Sequence, residues 1–104
     1  MNTNYCRMLL KEKKFDELIV VLEKEFIMLY KEMLVFIRGN IPENESLIGL
    51  GNEVIKNYPM YQDIIIENEN VINSGEYDYG DSIDILLESY NYLAKNYKSC
   101  VVSK

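Results

Sequence analysis

The feature that most restricts this chain is one long stripe of apolar residues at helical spacing. Leu18, Leu22, Phe26, Leu29, Met33 and Phe36 recur at intervals of four, four, three, four and three. An α-helix turns once every 3.6 residues, so these side chains share a face. The two-residue alternation of a strand would scatter them. The spacing predicts a helix over 15–38. Asp16 and Glu17 in its first turn and Arg38 in its last suit the helix dipole. Gly39-Asn40 supply a stop, and Pro42 follows. Further apolar residues (Ile19, Val20, Val21, Ile27, Tyr30, Leu34, Val35 and Ile37) lie off the stripe. A helix apolar on more than one face is central in a bundle or covered by a partner.

Other segments repeat the pattern more weakly. Tyr5 to Lys11 reads as a short helix burying Met8 and Leu9, with 11–14 as a hinge or a continuation into the long helix. Asn44 to Asn57 reads as a helix with Leu47, Leu50, Val54 and Ile55 on one face. Its Gly49 and Gly51 each lower helix propensity by about 1 kcal/mol relative to Ala, which we read as room for close helix approach. Pro59 suits the first turn of a helix reaching Ser74, with Met60, Ile64, Val71 and Ile72 inward. Ile64-Ile65-Ile66 also reads as a strand. Ser74 to Gly80 reads as a loop, and Asp81 as the N-cap of a last helix with Asp84 three residues on. Ile83, Leu86, Leu87, Tyr90, Leu93, Ala94 and Tyr97 line its inner face, and Lys95 and Lys98 suit its C-terminal end. The expected fold is all-α, a compact antiparallel bundle of about four helices, with 1–104 as one domain. Segments 10–18 and 72–80 resemble the inter-helix turn of tetratricopeptide repeats, but the period of about 34 residues fails, which argues against a repeat array.

Composition removes whole classes of chemistry. The chain contains no His, which excludes Ser-His-Asp and Cys-His nucleophiles and every His-containing metal site. Gly49-Leu50-Gly51 lacks the third glycine of a dinucleotide loop and the Lys of a phosphate loop. No cofactor and no metal are expected. Aligning an EF-hand on Gly80 or Gly75 leaves ligand positions unfilled. Carboxylate pairs such as Glu67/Glu69 and Asp81/Asp84 fall on solvated helix ends with no pocket to raise a pKa, so no enzyme is expected. Cys6 and Cys100 are too few for a disulfide scaffold, and no run of aliphatic, Met or Phe residues is longer than the five from Leu18 to Leu22. We expect reduced thiols, no membrane span and a cytoplasmic protein. Ile, Asn, Tyr and Lys, all with A/T-rich codons, make up 41 of 104 residues, which points to a low-GC bacterial or phage gene.

Charge is segregated along the chain. Net charge is −6, with +1 on residues 1–40 and −7 on 41–104. Between Lys56 and Lys95 no cation interrupts Asp63, Glu67, Glu69, Glu76, Asp78, Asp81, Asp84 and Glu88. Tyr58, Tyr61, Tyr77, Tyr79, Tyr90 and Tyr92 are interleaved. Unpaired carboxylates repel one another, so they do not hold the fold together. The expected function is therefore protein binding. An acidic, Tyr-rich helix-loop-helix edge over about 58–92 would dock a basic partner, as an inhibitor or adaptor mimicking nucleic-acid charge, with no direct nucleic-acid contact. The expected contact residues are Asp63, Glu67, Glu69, Glu76, Tyr77, Asp78, Tyr79, Asp81, Asp84 and Glu88. The alternatives are a solvated acidic face with no partner, a small structural homodimer, or a chaperone-like bundle binding a partner helix through apolar faces of 15–38. The spacing from Leu18 to Ile37 resembles the long first helix of small flagellar export chaperones, over about a quarter of the chain.

Overall fold

The stripe from Leu18 to Phe36 winds into one helix. The computed structural model describes residues 3–74 and 81–101, and within them α2 runs unbroken over Phe15–Arg38. Leu18, Leu22, Phe26, Met33 and Leu34 are fully buried along it, and Ile19, Leu29 and Tyr30 join them. Phe36 departs from the stripe's expectation and stays 43% exposed. Gly39 ends the helix at φ 81°, a left-handed conformation that costs glycine little, and its N–H donates to the Val35 carbonyl at 2.7 Å.

The segment 11–14 is a break, not a continuation. Helix α1, Thr3–Lys11, ends in a Schellman arrangement. The Lys14 N–H donates to the Leu9 carbonyl at 2.9 Å and the Lys13 N–H to the Leu10 carbonyl at 3.1 Å. Lys13 takes the left-handed position at φ 60°. Leu9 is buried as expected, but its buried companion is Cys6 rather than Met8, which is 44% exposed.

Helix α3, Leu47–Asn57, begins three residues later than the spacing predicts. Asn44 and Ser46 cap it instead of entering it. Asn44 Oδ1 accepts from the Ser46 N–H at 3.1 Å, and Ser46 Oγ accepts from the Gly49 N–H at 3.0 Å. Gly49 therefore lies under the Asn44 side chain, so only Gly51 serves close helix approach. A Cβ at Gly51 would meet Glu69 Oε1 and, at 3.3 Å, Ile65 of the next helix.

Pro59–Tyr61 forms one 3₁₀ turn before α4, Gln62–Ser74. With three residues per turn, that element sends Tyr58 and Tyr61 inward together. The inward line of α4 is then Ile65, Asn68 and Ile72, while Met60 is turned out at 57% exposure. The isoleucine run is helical, which settles the strand alternative. Helix α5, Asp81–Asn96, buries Ile83, Leu86, Leu87 and Leu93. Asp81 is itself helical rather than a cap outside the helix, and Ala94 is exposed. A second 3₁₀ turn follows at Ser99–Val101.

The described residues thus form an all-α bundle of five α-helices, one more than the sequence pattern separates. Helix α2 is central, packing against α1, α3 and α5. An aromatic chain ties its far end to the rest. Phe36 meets Tyr97 at 5.6 Å, Tyr97 meets Tyr58 at 6.4 Å, Tyr58 meets Tyr61 at 6.1 Å, and Tyr61 meets Tyr92 at 6.2 Å. Cys6 and Cys100 are both free. The Cys100 sulfur instead lies 2.8 Å from Tyr61 Oη. No described helix is long and apolar enough to cross a membrane.

Candidate partner-binding face

Helical register sorts the acidic residues of α4 and α5. The inward line of α4 is 65, 68 and 72, so Asp63 and Glu67, one turn apart, stand on the opposite face. On α5 the inward line is 83, 86, 87 and 93, and Asp81, Asp84 and Glu88 stand opposite it. All five are exposed. Glu76, Tyr77, Asp78 and Tyr79 lie outside the described residues, as does the 75–80 part of the calcium-loop reading.

Glu69 does not join this outward set. It packs over Gly51 of α3, with Oε1 buried and without a hydrogen-bond partner among the described residues. Burial pushes its carboxyl above the usual range. The tyrosines also differ from their expected role. Tyr58 and Tyr61 are core residues, and the Tyr58 hydroxyl donates to the Met33 carbonyl at 2.7 Å. Tyr90 packs edge-on to Phe26 at 5.5 Å, and burial, aided by Glu25 and Glu32, pushes its phenol up to about 12. Of the described tyrosines in this stretch, Tyr92 is the one left 52% exposed.

Three cations of the amino-terminal half are used elsewhere. Among the described residues, Lys14 pairs with Glu12 at 3.2 Å, Lys31 with Glu45 at 2.6 Å and Arg38 with Glu53 at 2.9 Å. None of these pairs reaches α4 or α5. Local helix energetics explains part of what remains. Asp63, Asp81 and Asp84 occupy first turns, where the dipole favours carboxylates. Glu67 and Glu88 lie beyond those turns. Each has a like charge four residues earlier, which costs an isolated helix about 0.2–0.5 kcal/mol.

Glu88 lines a hollow between α4 and α5, and Glu67 stands one turn from it on α4. The hollow is open and shallow, about 350 Å³, and Ile64, Ser89 and Tyr92 line it with Glu88. Glu67 follows Ile64 by three residues, on the adjoining turn. Ile64, Ser89 and Tyr92 were not among the residues that charge reasoning selected. The usable signal was spacing, since Tyr92 follows Glu88 by one turn. The arrangement has an apolar floor, a phenol and carboxylates at the rim, which suits a surface contact with a cationic group. Comparison with known proteins returns no matching family model, no matching curated protein and no matching solved structure.

Proposed function

We propose that this chain is a protein-binding module that docks a basic partner on the outer face of α4 and α5. The observation that carries the reading is the placement of Glu67 and Glu88. Both are exposed and free of ion pairs among the described residues; Glu88 lines the hollow with Ile64, Ser89 and Tyr92, and Glu67 stands one helical turn from Ile64. A lysine or arginine seated there gains two carboxylates and an aromatic face. Asp63, Asp81 and Asp84 extend the negative field and speed encounter. In this reading the chain acts by occupancy, as an inhibitor or adaptor. A partner whose groove holds nucleic acid is the form in which the carboxylates stand in for phosphates.

The test uses a lysine-rich peptide as a defined probe, titrated at low and high salt. Glu67→Lys with Glu88→Lys is compared with Glu12→Lys with Glu43→Lys, which changes net charge equally on other surfaces. The reading expects the first pair to lose binding by about tenfold or more, and the second to lose little. Wild-type binding should weaken with salt as the Debye length shrinks below about 10 Å. Equal losses from both pairs would reduce the acidic face to solvation.

A further inference from the structure

The outward faces of α2 and α5 carry the same spacing with opposite content. On α2, Glu17, Val20, Lys24, Ile27 and Lys31 follow at intervals of three, four, three and four, a seam turned away from the buried line. On α5, read backwards, Lys95, Tyr92, Glu88, Ile85 and Asp81 follow at the same intervals. Laid antiparallel, the seams meet as Glu17 with Lys95, Val20 with Tyr92, Lys24 with Glu88, Ile27 with Ile85, and Lys31 with Asp81. Every charged rung is of opposite sign and every other rung is apolar. Both seams are largely open, with Ile27 half-buried against the core. Val20 is 52% exposed, Ile85 41%, Tyr92 52%, and Met28 beside Ile27 56%.

The apolar rung falls on two hollows. Tyr5, Asp16, Glu17, Val20 and Val21 surround about 490 Å³ on the α1–α2 side. Tyr92 borders the α4–α5 hollow described above. Pairing the seams inserts an exposed phenol into an apolar recess and brings the recess wall over Ile64, the aromatic-in-pocket arrangement that concentrates binding energy. Lys31 already holds Glu45 at 2.6 Å. Lys24 has no ion pair among the described residues, so the Lys24–Glu88 rung is the one with the most to gain.

We infer that the α5 face docks the α2 face of a second copy of this chain, antiparallel, in the register Glu17–Lys95 to Lys31–Asp81. This rests on the proposed docking role of the α5 face and names its cationic complement. The contact joins two different surfaces. It closes as a dimer if both seams pair across a two-fold axis, and otherwise runs head to tail. The seam covers about 22 Å of helix, at fifteen residues of about 1.5 Å rise, so the association is of the weak, concentration-dependent kind.

Two variants reverse one seam each without changing net charge. The first is Glu17→Lys with Lys24→Glu, and the second is Glu88→Lys with Lys95→Glu. Sedimentation or light scattering over a concentration series is expected to show wild type associating, with each variant at least about tenfold weaker alone. Helix content by circular dichroism confirms that each is folded. Mixing the two variants restores association, because each then offers the seam the other lacks, and so does the chain carrying all four changes. Wild type that stays monomeric, variants that associate as wild type does, or mixtures that fail to recover would each overturn the pairing. If wild type stays monomeric while Glu67→Lys with Glu88→Lys still abolishes lysine-rich peptide binding, the self-pairing falls and the docking role stands. If that peptide binding is also unaffected, both fall.

Discussion

Two buried tyrosines offer a matched test of how this core is held. Tyr30 and Tyr58 are each fully buried, and Tyr→Phe removes the same oxygen from each. Their hydroxyls differ in one respect. Tyr58 Oη donates to the Met33 carbonyl at 2.7 Å, whereas Tyr30 Oη has no hydrogen-bond partner among the described residues. Burial pushes both phenols up, Tyr58 to about 12 and Tyr30 further, with Glu69 adding to the effect at Tyr30. Met33 lies inside α2, where its carbonyl also takes the helical N–H four residues on. Losing the Tyr58 donor therefore leaves no orphaned acceptor, and Tyr58→Phe should cost about 1 kcal/mol, the net worth of one such bond. Tyr30→Phe removes a desolvated hydroxyl that gains nothing in return. It should stabilise by about 1 kcal/mol, the low end of the mutational range for an unpaired buried hydroxyl. In a domain of this size 1 kcal/mol moves Tm by about 4–8 °C, so the two variants should melt about 8–16 °C apart with wild type between them. Thermal and urea denaturation followed by circular dichroism read this directly. If the two variants shift together in sign and size, the difference assigned to hydrogen bonding is wrong.

Lys13→Gly should stabilise by about 1 kcal/mol in urea denaturation, because Lys13 holds a left-handed conformation at φ 60° in the Schellman turn after α1. Loss of stability would mean that the Lys13 side chain contributes more than its backbone strain costs. Glu69 gives a pH signature. Its folded pKa lies above the ordinary value of 4.5 because of burial, so the folded state holds its proton more tightly than the unfolded chain does. Its contribution is present below about 4.5 and is lost as pH rises through the folded value. Glu69→Gln should remove that decline and leave the variant relatively more stable at neutral pH, measured as Tm against pH. An unchanged pH profile would rule out Glu69 as its source.

The parts of the fold legible in the sequence were those whose period ran unbroken. Helix α2 and its stop at Gly39 follow from the apolar spacing and a left-handed glycine, and α5 follows from its own stripe. The region around Pro59 was misread because a 3₁₀ turn rephases the chain. Tyr58 and Tyr61 turn inward, Met60 turns out, and Ile65 replaces its neighbours on the inner line. Asn68, only 1% exposed, occupies a core position that no apolar pattern marks. The candidate site was half legible. Counting charges found Glu67 and Glu88 but also Glu69, which α3 draws inward through the gap left by Gly51.

Helices in this chain are decided by hydrogen bonds four residues apart and by side chains one turn apart, all of which a linear pattern contains. The all-α architecture, the long central helix and the excess of negative charge beyond residue 40 were therefore determined before any folding in space. Which carboxylates remain uncompensated was a tertiary decision. It turned on Lys31 reaching Glu45, Arg38 reaching Glu53 and Glu69 lying over Gly51. These neighbours are set by how helices pack, because electrostatic partners are chosen by distance in space rather than by separation along the chain.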